Sequence, residues 1–443
     1  MEVLIEYLLS SIVVILLISI VLFAYYKSHK TKTEINKLKI DRAKEFGFHE
    51  PISLHPVINE DICIGSGACV AACPEKDILG IVHGRGKLIN ASQCVGHGAC
   101  FHACPVEAIS LVMGTEKRGV ELPHVSPNYE TNIKGIYIAG ELGGMGLIKN
   151  AVEQGSKAME NIIKTLPKEK NTKYDVIIVG AGPAGISASL TAANNNLKFL
   201  TLEQDSLGGT VFSFPRAKVV MTKPMNLPLY GKVKLFETSK TELIGLWKEV
   251  LEKNNISINE NEKVLEIIAY SQYFEVITNH DKYSCLKVLL SIGRRGSPRK
   301  LGIPGENLDK VAYRLLEPEL IKNQKVIVVG GGDSAIESAL LLAEDGTNQV
   351  TLSYRSASFN RLKPKILEKI ENAIKTNRIN VIYESNLTEI FEHEIKIQLK
   401  NGSTIPIQND LIYIFAGGEL PNKFLEKIGI KITKKYGETI LKH

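Results

Sequence analysis

Tyr174-Asp-Val-Ile-Ile-Val179-Gly180-Ala-Gly182-Pro-Ala-Gly185 is the stretch that decides the fold of most of this chain. A mostly apolar run of this kind, broken only by Asp175, reads as a parallel strand covered on both faces. The glycines then turn the chain into a helical pattern that continues through Ala193, and a second apolar strand, Lys198 to Leu202, ends on Glu203. The G-x-G-x-x-G spacing of Gly180, Gly182 and Gly185 permits a tight turn and lets a dinucleotide pyrophosphate approach a helix N-terminus. The acid about twenty residues on is placed for a ribose hydroxyl. The unit recurs: Lys325 to Val329 leads into Gly330, Gly332, Ser334 and Ala335, then a helix, then Gln349 to Arg355. This second strand ends in Tyr354-Arg355 without a carboxylate, and Arg361 and Lys363 follow. An acid suits the free ribose of NAD whereas Arg suits the 2′-phosphate of NADP, so NADPH is expected over NADH, with Arg355 and Arg361 as its contacts.

The chain has 443 residues, enough for about three domains. Hydrophobic residues at 44% and charged residues at 23% exclude disordered and fibrous classes. Most of the +6 net charge sits between Lys27 and Lys44, leaving no basic body for nucleic acid. Tyr7 to Tyr26 is free of charge, and twenty residues at about 1.5 Å each match the hydrocarbon thickness of a bilayer. The basic cluster after it places that side in the cytoplasm by the positive-inside rule. A single-pass anchor in the inner (cytoplasmic) membrane is expected, with membrane lipid as a partner and a solvated helical stalk to about Lys44.

Six of the seven cysteines lie between Cys63 and Cys104, which reads as metal ligation and not as a disulfide scaffold. Cys63-Ile-Gly-Ser66-Gly-Ala-Cys69-Val-Ala-Ala-Cys73-Pro and Cys94-Val-Gly-His97-Gly-Ala-Cys100-Phe-His-Ala-Cys104-Pro repeat each other. Both resemble the bacterial ferredoxin pattern C-x2-C-x2-C-x3-C-P, whose fourth Cys serves the other cluster. The resemblance implies one iron–sulfur cluster on Cys63, Cys69 and Cys104 and another on Cys94, Cys100 and Cys73. Ser66 and His97 stand where the second Cys would be and are the candidates for the remaining ligands. Four-iron clusters are favoured, and a three-iron cluster stays open at the Ser66 site.

Two nucleotide units in one chain resemble the two-dinucleotide flavoproteins, in particular thioredoxin reductases and their bacillithiol-disulfide-reductase relatives. Gly208-Gly209-Thr210, Ile292-Gly293-Arg-Arg295, Gly330 to Glu337 and Thr351 to Arg355 carry the likeness. It implies FAD in the first unit and NADPH in the second. Two departures stand out. The C-x-x-C of thioredoxin reductases is missing from Val311 to Ile321, and Cys285 stands alone in an apolar strand pattern, so dithiol exchange within the chain is excluded. The motif that closes the FAD site of such proteins near their C-terminus is matched early, by Thr131-Asn-Ile-Lys-Gly135-Ile-Tyr-Ile-Ala-Gly140-Glu141 and the helix starting near Gly146. This order reads as a circular permutation, with Gly140 and Glu141 expected beside the Gly180 loop.

The expected fold class is α/β: two Rossmann-like dinucleotide-binding domains, a small α+β ferredoxin-like domain and one N-terminal transmembrane helix. The expected boundaries are anchor 1–26, stalk 27–56, cluster domain 57–113, closing segment of the FAD domain 114–166, FAD domain 167–307, NAD(P) domain 308–420 and a return segment to the FAD domain 421–443. The parts suggest electron transfer from NAD(P)H through FAD and two clusters to a protein or quinone, with the flavin and metal carrying the chemistry. A reductase of an external disulfide or thiol protein is the alternative. An electron-transfer or redox-sensing subunit of a larger complex is a third reading, and a homodimer is compatible with each.

Overall fold

No Gly or Pro interrupts the first 45 residues, and α1 (Glu2–Glu45) is one continuous helix. In this computed structural model the described residues are 2–45, 49–51, 54–75, 77–116, 119–144, 146–168, 171–214, 219–221, 224–235, 237–294, 298–359, 362 and 364–442. They divide into two units, one of 1–120 with 435–443 and one of 121–434.

In the first unit, α1 is long and apolar enough to cross a membrane, and its side chains from Ser11 to Tyr26 are all exposed. Its second half differs from the expected solvated stalk. Thr33 and Ala43 are buried, Asn36 Nδ2 donates to Ile81 O at 2.9 Å, and Lys39 pairs with Asp77 at 2.5 Å. The helix is therefore packed onto the cysteine-bearing domain. That domain comprises β1 (Leu54–Ile58), α2 (Ala68–Ala72), the hairpin β2 (Leu79–Val82) and β3 (Arg85–Leu88), α3 (Ala99–His102) and β4 (Ile109–Met113). β1 and β4 pair antiparallel, so the segments before the first motif and after the second close on each other.

The second unit begins in β5 (Val120–Pro123) and continues with β6 (Ile136–Ile138), α4 (Ile148–Lys164), β7 (Tyr174–Val179), α5 (Pro183–Asn194) and β8 (Phe199–Leu202). Four short strands, β9 (Val219–Met221), β10 (Met225–Leu227), β11 (Gly231–Val233) and β12 (Glu237–Ser239), precede α6 (Lys240–Lys253). Then come β13 (Val264–Ala269), β14 (Phe274–Thr278) and β15 (Lys282–Leu290). The sheet runs β13-β14-β15-β7-β8, with β6 added in parallel on β15. Alternation along a strand explains the continuous apolar run. Ile177 and Val179 enter one core with Val288 and Leu290, while Val176 and Ile178 face the other, beneath α4 and α5.

A second parallel sheet, β16-β23-β17-β18-β19, is built from β16 (Val311–Ala312), β17 (Lys325–Val329), α7 (Asp333–Leu342), β18 (Gln349–Ser353), α8 (Pro364–Lys375), β19 (Ile379–Ile382) and β23 (Leu411–Ile414). An antiparallel meander of β20 (Ser385–Ile390), β21 (Glu394–Leu399) and β22 (Thr404–Gln408) shares a core with Ile327, Ile412 and Ile414. The chain thus holds two Rossmann-like sheets and a small cysteine-bearing domain.

The expected return segment 421–443 divides. α9 (Asn422–Lys427) and β24 (Ile432–Lys435) go back to the first sheet's surroundings: β24 pairs with β5, and His124 N donates to Lys431 O at 2.8 Å. β25 (Glu438–Leu441) instead pairs antiparallel with β4 in the first unit, against expectation. The edge of β4 away from β1 has unpaired backbone groups, and the last strand satisfies them.

Candidate functional site

The two glycine loops are built alike. Gly180 has φ +103°, and a Cβ there would lie 2.6 Å from Ser291 O; Gly330 has φ +133°, and a Cβ would lie 2.6 Å from Phe415 O. Only glycine fits such a turn pressed against a neighbouring strand. At Gly182 and Gly332 an added Cβ meets nothing within 4 Å, leaving open space at the N-termini of α5 and α7. Neither helix has a side-chain cap, so the first-turn amides that follow Pro183 in α5, and those of α7, are left without one. Gly185 serves packing, since a Cβ there would meet Gly180 O at 1.8 Å. These are the conditions a pyrophosphate needs, and the residues fit the two dinucleotides.

Glu203 lies buried at the end of β8, accepting from Ala181 N at 2.7 Å and Asp205 N at 3.0 Å. Burial raises its carboxyl pKa, against the pull of those two amides. Gly208 N donates to Ala181 O at 2.9 Å, and a Cβ on Gly209 would stand 3.5 Å from Gly182 Cα, so the Gly208-Gly209 turn rests on the glycine loop. Thr210 beside it is exposed.

The Thr131–Gly155 segment meets the same loop. β6 lies parallel to β15, as β7 does, and Leu290 is in register with both Ile138 and Val179. Gly140 has φ +84°, its N donates to Gln154 Oε1 at 2.9 Å, and a Cβ on it would come 3.1 Å from Ala184 Cβ. Gly155 on α4 is tighter still: a Cβ there would meet Ala184 O at 2.1 Å. Glu141 follows Gly140 at the same sheet end, and Arg294, just after Gly293, has its charge toward Glu141 and Glu121 and donates to Glu121 O at 3.1 Å. Sequence reading missed Ser291, whose Oγ donates to Val179 O at 2.9 Å and Gly180 O at 2.8 Å, as well as Gln154 and Arg294. Ser291 acts on a strand from elsewhere in the chain, so no local pattern marks its role.

In the second sheet, Ser334 is exposed and Ala335 buried in the first turn of α7. Tyr354 lies flat against the loop, so that a Cβ on Gly331 would meet its ring at 2.1 Å, and it stacks on Phe359 at 5.4 Å. Arg355, next in line, is exposed. Arg361, Lys363 and Arg295 lie outside the described residues.

The six clustered cysteines line two cavities. One is lined by Cys63, Cys69 and Cys104 with Ser66; the other by Cys73, Cys94 and Cys100 with His97. The last Cys of each motif thus joins the first two of the other. Among the described residues no three His, Cys, Asp or Glu side chains meet where one ion could be held. Burial pushes Cys94 up to about 11 and Cys100 up to about 12, with repulsion from neighbouring thiolates adding to it. Backbone amides point at sulfur as well: Gly86 N to Cys63 Sγ at 3.3 Å and Ala108 N to Cys104 Sγ at 3.2 Å. Cys285 is apart, fully buried in β15.

A model of the pyridine nucleotide-disulphide oxidoreductases matches residues 177–442. The chain belongs to this family. A 4Fe-4S dicluster domain matches residues 55–105. Among similar family members, the bacilliredoxin reductase Bdr of Bacillus subtilis is 26% identical over 266 residues, covering 59% of this chain and 82% of the relative. A ferredoxin–NADP reductase of Ignicoccus hospitalis is 27% identical over 266 residues, covering 59% and 83%. The solved bacillithiol disulfide reductase Bdr (YpdA) from Staphylococcus aureus aligns with a TM-score of 0.51 at 25% identity, covering 59% and 82%. Family membership makes this chain an FAD-dependent NAD(P)H oxidoreductase with an associated iron–sulfur domain.

Proposed function

We propose that the protein oxidises NAD(P)H and, by way of FAD and two iron–sulfur clusters, reduces a protein or quinone acceptor at the cytoplasmic face of a membrane. The observation that carries this reading is the presence, in one polypeptide, of two open glycine loops and two cavities of three thiols each. The relative named ferredoxin–NADP reductase supports it, because here a ferredoxin-like domain is covalently attached. FAD, when bound, supplies the conversion between two-electron and one-electron transfer. The chain's own residues hold and orient: Gly182 and the α5 amides take the pyrophosphate, Glu203 the adenosine ribose, and Glu141 a ribityl hydroxyl. On the NAD(P) side, Gly332 and the α7 amides take the pyrophosphate and Arg355 the 2′-phosphate.

The placement of Gly140 against Ala184, and of β24 against β5, supports reading Thr131–Gly155 as the FAD-closing motif moved ahead of both nucleotide units. In that circular permutation the ferredoxin-like domain is attached at the new N-terminal side. The exposed apolar half of α1, with its following lysines, supports single-pass anchoring.

A second reading, an NAD(P)H-dependent reductase of an external disulfide or thiol protein, is favoured by the names of the matched proteins more than the first is. The family itself, the bacilliredoxin reductase and the bacillithiol disulfide reductase all point to it. The electrons would then leave the flavin directly. Anaerobic stopped-flow reduction by NADPH or NADH, with EPR on the frozen product, separates the two. Flavin bleaching followed by the signals of reduced clusters supports the first reading. A bleached flavin over oxidised clusters, reoxidised by a disulfide protein, establishes the second.

A further inference from the structure

The two cluster cavities come from one repeated motif but are closed differently. In each, the non-cysteine second position stands directly before a left-handed glycine, Gly67 (φ 74°) or Gly98 (φ 68°), that opens a short helix. Both side chains turn toward that helix: Ala68 N donates to Ser66 Oγ at 3.4 Å, and Ala99 N to His97 Nδ1 at 3.5 Å. Beyond this the two sites diverge. Ser66 is exposed, so the corner it occupies in the cavity of Cys63, Cys69 and Cys104 faces solvent. His97 is half-buried, with Nε2 shut away from water, and it lines the cavity of Cys73, Cys94 and Cys100. A serine hydroxyl is also a hard donor that competes poorly with thiolate for the iron of a sulfide cluster.

We propose that the cluster held by Cys63, Cys69 and Cys104 has one iron without a protein ligand, carrying a solvent oxygen instead, and that this iron is labile. The other cluster is shielded by His97 and retains all of its iron. The inference rests on the iron–sulfur reading of the cavities. Ferricyanide is the oxidant for the step that reveals it. A [4Fe–4S]2+ core gives one electron to ferricyanide and releases one Fe2+ with its bound water, leaving [3Fe–4S]+ on the same three thiolates. Charge and iron balance, and no cysteine bond is broken.

The test uses the full chain, purified anaerobically in detergent and treated with ferricyanide. Released Fe2+ is read with a chelator, and the EPR signal of an oxidised three-iron cluster is integrated. About one iron and one such signal per chain are expected. Ser66→Cys should abolish both by supplying the missing thiolate. Ser66→Ala should leave both unchanged, and His97→Ala should add a second release. A chain that keeps every iron after oxidation overturns the labile corner alone. So does a signal that Ser66→Cys leaves intact, or a Ser66→Ala chain that loses its cluster and so marks Ser66 as a ligand. A chain that takes up no iron and sulfide at all overturns the cluster reading, and this inference with it.

Discussion

Gly155→Ala tests the contact that brings the early segment to the glycine loop. Gly155 lies within α4, where alanine would ordinarily stabilise the helix by up to about 1 kcal/mol. Here the added methyl would sit 2.1 Å from Ala184 O, 2.8 Å from its carbonyl carbon and 3.0 Å from its Cα. All three are backbone atoms of α5, so no flexible side chain can yield. Restoring an ordinary contact of about 3.4 Å requires α4 and α5 to separate by about 1.3 Å, in an interior packed to crystal density. Overpacking of this kind costs about 1–3 kcal/mol, and the backbone obstacle puts it at the upper end. The net loss is about 2 kcal/mol, which lowers the Tm of a domain this size by about 4–8 °C. Because α5 carries the Gly182 turn, FAD retention should fall too. Gly245→Ala is the matched control: it is an exposed glycine inside α6 with nothing within 4 Å of the new methyl. It should raise Tm by about 2–4 °C and leave FAD untouched. The assay is apparent Tm at one scan rate together with the FAD-to-protein ratio after gel filtration. A Gly155→Ala protein as stable as the Gly245→Ala protein, with full FAD, would refute the packing of α4 against α5.

Other outcomes follow from the same structure. Cys100→Ala should remove one cluster, halving bound iron and sulfide while FAD stays in place; metal and flavin analysis of one preparation checks this. Arg355→Ala should narrow the preference for NADPH over NADH by about tenfold to a hundredfold, since a charge-assisted contact contributes about 1.5–3 kcal/mol; stopped-flow flavin reduction with each nucleotide measures it. The metal-free protein should lose stability in alkali. Cys94 and Cys100 have folded pKa values raised from 9.0 to about 11 and about 12, so above pH 9 the folded state holds more protons than the unfolded one. Their contribution is complete below about pH 9 and is lost as pH rises toward 12, which denaturant titrations across that range would register. In the same apo protein, cluster loading must displace those protons and should strengthen as pH rises from neutrality, readable by iron–sulfide reconstitution at several pH values.

The sequence alone determined the features that rest on local chemistry. The mostly apolar run Tyr174–Val179 is a buried strand because its residues from Asp175 onward all meet a covered face, and β7 spans those same residues. The glycine loops were legible because only glycine tolerates the turn at Gly180 and Gly330, and the repeated cysteine motif because ligands to one cluster recur at fixed spacing. Tertiary structure alone decided what depends on partners distant in the chain. Nothing around Ser291 signals that its hydroxyl ties β15 to the Gly180 turn, and nothing around Gly155 signals the Ala184 carbonyl against it. The sequence pattern places 421–443 as a whole with the FAD domain, yet β25 completes the sheet of the cysteine-bearing domain. An exposed four-residue strand has little pattern of its own. Its place is fixed by the unpaired backbone edge of β4, and an edge becomes visible only once the sheet exists.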